Sequence, residues 1–138
     1  MSTEESLRVV KDAYAAFGRG DIQGFLGMLS DDVEWYVPGE GVPHSGTYRG
    51  RDEVAQFFQK LAQVAEILAF EPREFMAQAE HVAVIGWERV KVRTTNRTIE
   101  LDWVDTFTVH GGKIAKFRPY TDTQALAAAF ASTAQVAG

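Results

Sequence analysis

The chain of 138 residues is long enough for one domain with a sizeable core, and its 46% apolar and 24% charged residues make a globular composition. Its formal net charge is -5 and no stretch gathers Lys or Arg, which argues against nucleic acid and anionic membranes, both of which reward a basic face. With no cysteine, disulfides, thiolate metal sites and a cysteine nucleophile are excluded, and no apolar run approaches the roughly 20 residues that span a bilayer.

Met1 to Arg8 is polar and acidic, without the apolar core of a signal peptide, so a soluble, cytoplasmic protein is expected. Leu7, Val10, Tyr14 and Phe17 recur at helical spacing and predict an amphipathic helix over 3–17, ended by Gly18 and Gly20. Asp21 reads as the cap of a short second helix carrying Ile22, Phe25, Leu26 and Leu29. Val33, Trp35 and Val37 alternate with polar neighbours, the pattern of a strand with one buried face. Residues 38–50, rich in Gly and Pro, predict a loop. A third helix follows, with Val54, Phe57, Phe58, Leu61 and Ala65 as its apolar stripe. Four strands are predicted next, over 67–77, 81–93, 98–110 and 113–121, with Thr95-Asn96 and Gly111-Gly112 as hairpin corners. A last helix over 124–130 carries Leu126, Ala129 and Phe130, and Ser132 to Gly138 read as frayed. Helices gathered on one side of a curved antiparallel sheet make an α+β domain, a single one spanning 1–138.

Constellations for several chemistries are missing. His44, His81 and His110 are isolated and lack metal-ligand spacing. Gly39-x-Gly41 has neither the third glycine nor the helix of a dinucleotide site, and no Gly-Lys-Ser/Thr loop exists for phosphates. No metal, nucleotide or covalent cofactor is expected.

Several stretches occur together: Tyr14-Ala-Ala-Phe-Gly-Arg-Gly-Asp21, Asp32-Val-Glu-Trp35, Gly46-Thr-Tyr-Arg-Gly50, Asp105-Thr-Phe-Thr-Val109 and Gly112-Lys-Ile-Ala-Lys-Phe-Arg-Pro-Tyr-Thr-Asp122. In order and spacing they resemble the SnoaL-like and ketosteroid-isomerase-like branch of the nuclear transport factor 2 superfamily. The resemblance implies a cone in which a bent sheet wraps helices around a deep pocket, a small hydrophobic ligand, homodimerisation through the outer sheet face and chemistry without cofactors. It implies no particular reaction, since isomerases, polyketide cyclases, epoxide hydrolases and dehydratases share the fold.

Compared with the isomerases, this chain has Val37 before Pro38 where the base carboxylate stands. Asp105 matches their buried Asp, and Tyr14 lies one residue from their Tyr, where this chain has Ala13. Compared with the epoxide hydrolases, Arg89 matches the Arg, but Lys91 and Pro119 occupy the places of the two Asp residues. Compared with the cyclases, Asp122 matches the general acid/base, but it is also a ready N-cap for the last helix, and the cap is the favoured reading.

By the period of two, Trp103, Asp105 and Phe107 share a buried strand face, where a carboxylate is unfavourable unless paired or protonated. Arg89, on a neighbouring strand, is the expected partner, in a structural pair, a pocket floor, or both. Trp35, Trp87, Trp103, Tyr14 and Phe107 are expected to shape the pocket, though inward aromatics also serve as plain core. His44, in the loop over the mouth, can move protons near neutrality or be merely solvated. The expectation is an acid/base enzyme of isomerase, cyclase or lyase type using Asp105, Arg89, Asp122 and His44. A non-catalytic ligand-binding domain is the alternative, favoured by the losses at Val37, Lys91 and Pro119, and a subunit-interaction module is a third reading.

Overall fold

A computed structural model describes residues 2–131. Helix α1 (Thr3–Gly18) starts at Ser2, whose Oγ accepts from the Glu5 amide at 3.1 Å. Asp21 caps α2 (Ile22–Gly27) in the same way through the Gly24 amide, at 2.9 Å. Then come β1 (Leu29–Val37), β2 (Gly46–Arg49), α3 (Gly50–Val64), β3 (Ala65–Gln78), β4 (His81–Val92), β5 (Thr98–His110), β6 (Lys113–Thr121) and α4 (Thr123–Phe130).

The six strands form one sheet in the order β2-β1-β6-β5-β4-β3. Every pairing is antiparallel except β1 with β6, so the sheet is mixed, and the long excursion through β3, β4 and β5 brings the last strand back beside the first. Register shifts in β3 and near the end of β5 bend it, because a bulge adds local twist. The bent sheet wraps α1 and α3 into an α+β cone, with α1 packed on β3, β4 and β5 and α3 on β1.

The alternation of β4 decides what faces inward. Val82, Val84, Val90 and Val92 are buried, which fixes the even positions as the inner face. Val82 and Val84 share one buried cluster with Val10, Ala13 and Ala16 of α1, whose spacing makes one buried stripe.

One expected loop is partly a strand. Gly46–Arg49 pairs with the end of β1, Tyr48 opposite Trp35, and the Tyr48 side chain is buried. Its four residues are too short to show a period between flanking Gly and Pro signals. Ser132 to Gly138, expected to fray, lie outside the described residues. Among those described, no helix is long and apolar enough to cross a membrane.

Candidate functional site

Between the helices and the inner sheet face lies a cavity of about 160 Å³. Its walls are rings from every helix and from four strands, with Tyr14 and Phe17 on α1, Phe58 on α3, Trp35 on β1, Phe70 on β3 and Trp103 on β5 among them. The carboxyl groups of Asp105 and Glu88 also face it, and no Lys or Arg stands among the described lining residues.

Asp105 sits between Trp103 and Phe107 on the inward face of β5 and is 7% exposed. Its Oδ2 accepts a hydrogen bond from the Tyr14 hydroxyl at 2.7 Å. Burial pushes the Asp105 carboxyl up to about 7, the Tyr14 hydrogen bond pulls the other way, and the charge of Glu88 adds to the rise. Burial also raises the Tyr14 phenol, as does the neighbouring carboxylate, so Tyr14 remains a donor. Glu88, on the inner face of β4, is pushed up to about 7 by burial, and among the described residues no hydrogen bond or ion pair holds its side chain.

Aromatic packing fixes the Tyr14 hydroxyl. Its ring is edge-on to Phe75 and Phe107, at 5.9 and 5.7 Å, and stacks on Trp103 at 6.1 Å. Trp103 in turn stacks on Phe70 at 4.9 Å. This arrangement requires Gly86, the register partner of Trp103, because a Cβ there would collide with the indole and with the Glu71 carbonyl.

Towards the other end stand Trp35 and His44. Trp35 stacks on Phe117 at 3.9 Å, and both Trp35 and His44 pack on Phe57. His44 lies in the segment between β1 and β2, is 7% exposed, and touches Phe130 of α4. Burial pushes its imidazole down to about 4, so it is neutral at physiological pH. It is neither solvated nor charged, and its backbone carbonyl accepts from the Tyr48 hydroxyl at 2.8 Å.

Two expected placements are reversed. Arg89 does not partner Asp105: it points outward, 3.7 Å from Glu100, and lies over the Trp87 ring. Trp87 is likewise on the outer face, between Arg89 and Arg73, rather than lining the cavity. Both residues are at odd positions of β4, and the valines reserve the even positions for the interior. The partner of Asp105 is Tyr14 instead. Asp122 is exposed at the start of α4, its Oδ1 accepting from the Ala125 amide at 2.9 Å, so it is a helix cap. Phe107, Val37, Pro38 and Pro119 line the cavity, whereas Lys91 shares the outer parity of Arg89.

Glu88 is the ionisable lining residue that sequence reasoning missed. The signal was present in Val82-x-Val84-x-Gly86-x-Glu88-x-Val90-x-Val92, which puts a carboxylate on a face of valines.

The sequence profile of the SnoaL-like domain matches residues 10–117. An NTF2-like protein from Burkholderia xenovorans LB400 is 46% identical, with 95% of this chain and 99% of that chain covered and a TM-score of 0.87. TerC, crystallised with polyporic acid, is 29% identical, with 91% and 98% covered and a TM-score of 0.82. An uncharacterised protein of Mycobacterium tuberculosis is 26% identical over 120 residues, 87% of this chain and 91% of its own length.

Proposed function

The chain belongs to the SnoaL-like domain family, and we propose that it is a cofactor-independent acid/base enzyme acting on a small, largely apolar molecule in the aromatic cavity. One observation carries the reading. Glu88 and Asp105 face a cavity without a described basic side chain in its wall, and both carboxyls are pushed up to about 7. Near neutral pH such a pair holds one group ionised and one protonated, the two states that proton transfer needs.

The two environments divide the roles. Asp105 is the more deeply buried, and the charge of Glu88 opposes loss of its proton. Tyr14 occupies its Oδ2, leaving Oδ1 to donate to a ligand carbonyl and stabilise the enolate that forms there. Ionised Glu88 is the base available for a carbon-bound proton of the ligand. The Cα partner of Asp105 is Val84, four residues from Glu88 along β4, or about 13 Å of strand. The Trp103 ring lies over Gly86 on that path, a platform for a flat ligand. The presence of polyporic acid in the TerC crystal supports a small organic occupant.

The test is deuterium uptake into 2-tetralone, a two-ring ketone with acidic hydrogens beside its carbonyl, followed by mass spectrometry in D2O. Wild type should accelerate uptake, and Asp105→Asn should lose about a hundredfold or more of that acceleration. Equal uptake with and without the protein would sink the reading. The absence, among the described residues, of any group orienting Glu88, together with Val37 at the end of β1, favours a second reading as a binder without turnover. Binding of the ketone without deuterium uptake would establish that one.

A further inference from the structure

Three residues of the cavity wall, at its two ends, each carry a buried polar atom left unanswered. Trp103 Nε1 is on the side of Asp105, and Trp35 Nε1 and His44 Nδ1 are on the other. All three are buried, and among the described residues none has a hydrogen-bond partner. Trp35 and His44 are 4% and 7% exposed, so bulk solvent does not serve them. Leaving such groups unpaired is unfavourable, and orphans of this kind in a native fold call for a partner.

The residue types state what that partner must offer. An indole N–H can only donate, so Trp35 requires an acceptor. Neutral His44 can donate or accept through Nδ1, depending on its tautomer. Their rings lie 5.7 and 6.0 Å from that of Phe57, which gathers both at one end of the cavity. A hydroxyl or carbonyl oxygen on the ligand answers either group, while a purely apolar end would bury both unsatisfied.

The register gives the span. Trp35 pairs with Phe117, Phe117 pairs with Phe107, and Asp105 is two residues along β5. Two strand spacings and two residues place the ends about 12 Å apart at the backbone. Side chains reaching in from both ends leave room for one or two rings, in keeping with a cavity of about 160 Å³. The walls between are apolar and aromatic.

Resting on the pocket reading above, we infer that the ligand is a flat aromatic molecule with an oxygen function at each end, one seated on Asp105 and the other on Trp35 and His44. The Trp35 and His44 end sets specificity, because an analogue lacking the second oxygen leaves those groups unpaired.

Naphthalene, 2-naphthol and naphthalene-2,6-diol, titrated into the intact protein by calorimetry, separate the possibilities. The expected result is that 2-naphthol binds, and that the diol binds about tenfold more tightly, the gain from one well-made buried hydrogen bond. In Trp35→Phe, which keeps a ring and removes the N–H, that ratio should fall towards one. His44→Phe serves the same comparison if Trp35→Phe does not melt cooperatively. A diol that binds no better than 2-naphthol to wild type overturns the two-ended ligand and leaves the pocket reading standing. A tenfold ratio persisting in both variants overturns the assignment to Trp35 and His44. Binding by none of the three probes removes the pocket reading, and this inference with it.

Discussion

The Tyr14 hydroxyl donates to Asp105 Oδ2 at 2.7 Å, joining the first helix to β5 across 91 positions of sequence. The bond stabilises the charged form of Asp105, against burial and the Glu88 charge, which favour the neutral form. Tyr14→Phe removes the only one of the three that favours ionisation. The Asp105 carboxyl should therefore titrate higher than about 7, by about one unit. Carbon-13 NMR of the carboxyl across pH reads this directly, and an unchanged or lower midpoint would contradict the pairing.

Stability should fall as pH rises towards neutrality. The folded Asp105 and Glu88 carboxyls titrate near 7, against ordinary values of 3.8 and 4.5. Between those limits the folded protein holds protons that the unfolded chain has released, so raising the pH through that window destabilises, and the loss is complete above about 7. Each group contributes on the order of 3–4 kcal/mol at most. Thermal melts from pH 5 to 8 should show the decline, with a shallower slope in Glu88→Gln. A melting temperature that rises over that range would be the wrong sign.

Gly86→Ala should disturb the site without touching an ionisable group. The added methyl meets the Trp103 indole and the Glu71 carbonyl, an overpacking of about 1–3 kcal/mol. Displacement of the ring into the cavity should shift tryptophan fluorescence and weaken 2-naphthol binding. Adding Trp103→Phe, which frees the space, should recover part of the stability.

Asp122 separates cap from catalyst. Asn caps a helix as well as Asp does but carries no charge, so Asp122→Asn should keep both stability and deuterium uptake. Asp122→Ala should lose about 1 kcal/mol in denaturant unfolding. Loss of uptake in the Asn variant would return Asp122 to the chemistry.

The α+β class, the element order and the inward Trp103-Asp105-Phe107 face were legible because long alternating strands state their own period. Tyr14 was legible as an inner-stripe residue in need of a partner, but which partner depends on contacts far apart in sequence. The misreading of β4 has a local cause. Trp87 and Arg89 suggested an inner aromatic and a counter-ion, while the valines, less conspicuous, carried the parity that decides the face. A shift of one position exchanges every side chain between faces, and it hid Glu88. The β1–β6 parallel pair and the four-residue β2 are set by tertiary pairing, which no local pattern announces. Nothing local in the 38–50 stretch marked His44 as buried, since its burial depends on Phe130 closing over it from α4.

The most direct test of the acid/base reading is the pH profile of 2-tetralone deuterium uptake in wild type and Glu88→Gln. With Glu88 as base and protonated Asp105 as donor, wild type should give a bell centred near 7, and Glu88→Gln should lose about a hundredfold or more while still binding the ketone. Equal uptake in the two proteins, or a profile flat across neutrality, would contradict the account.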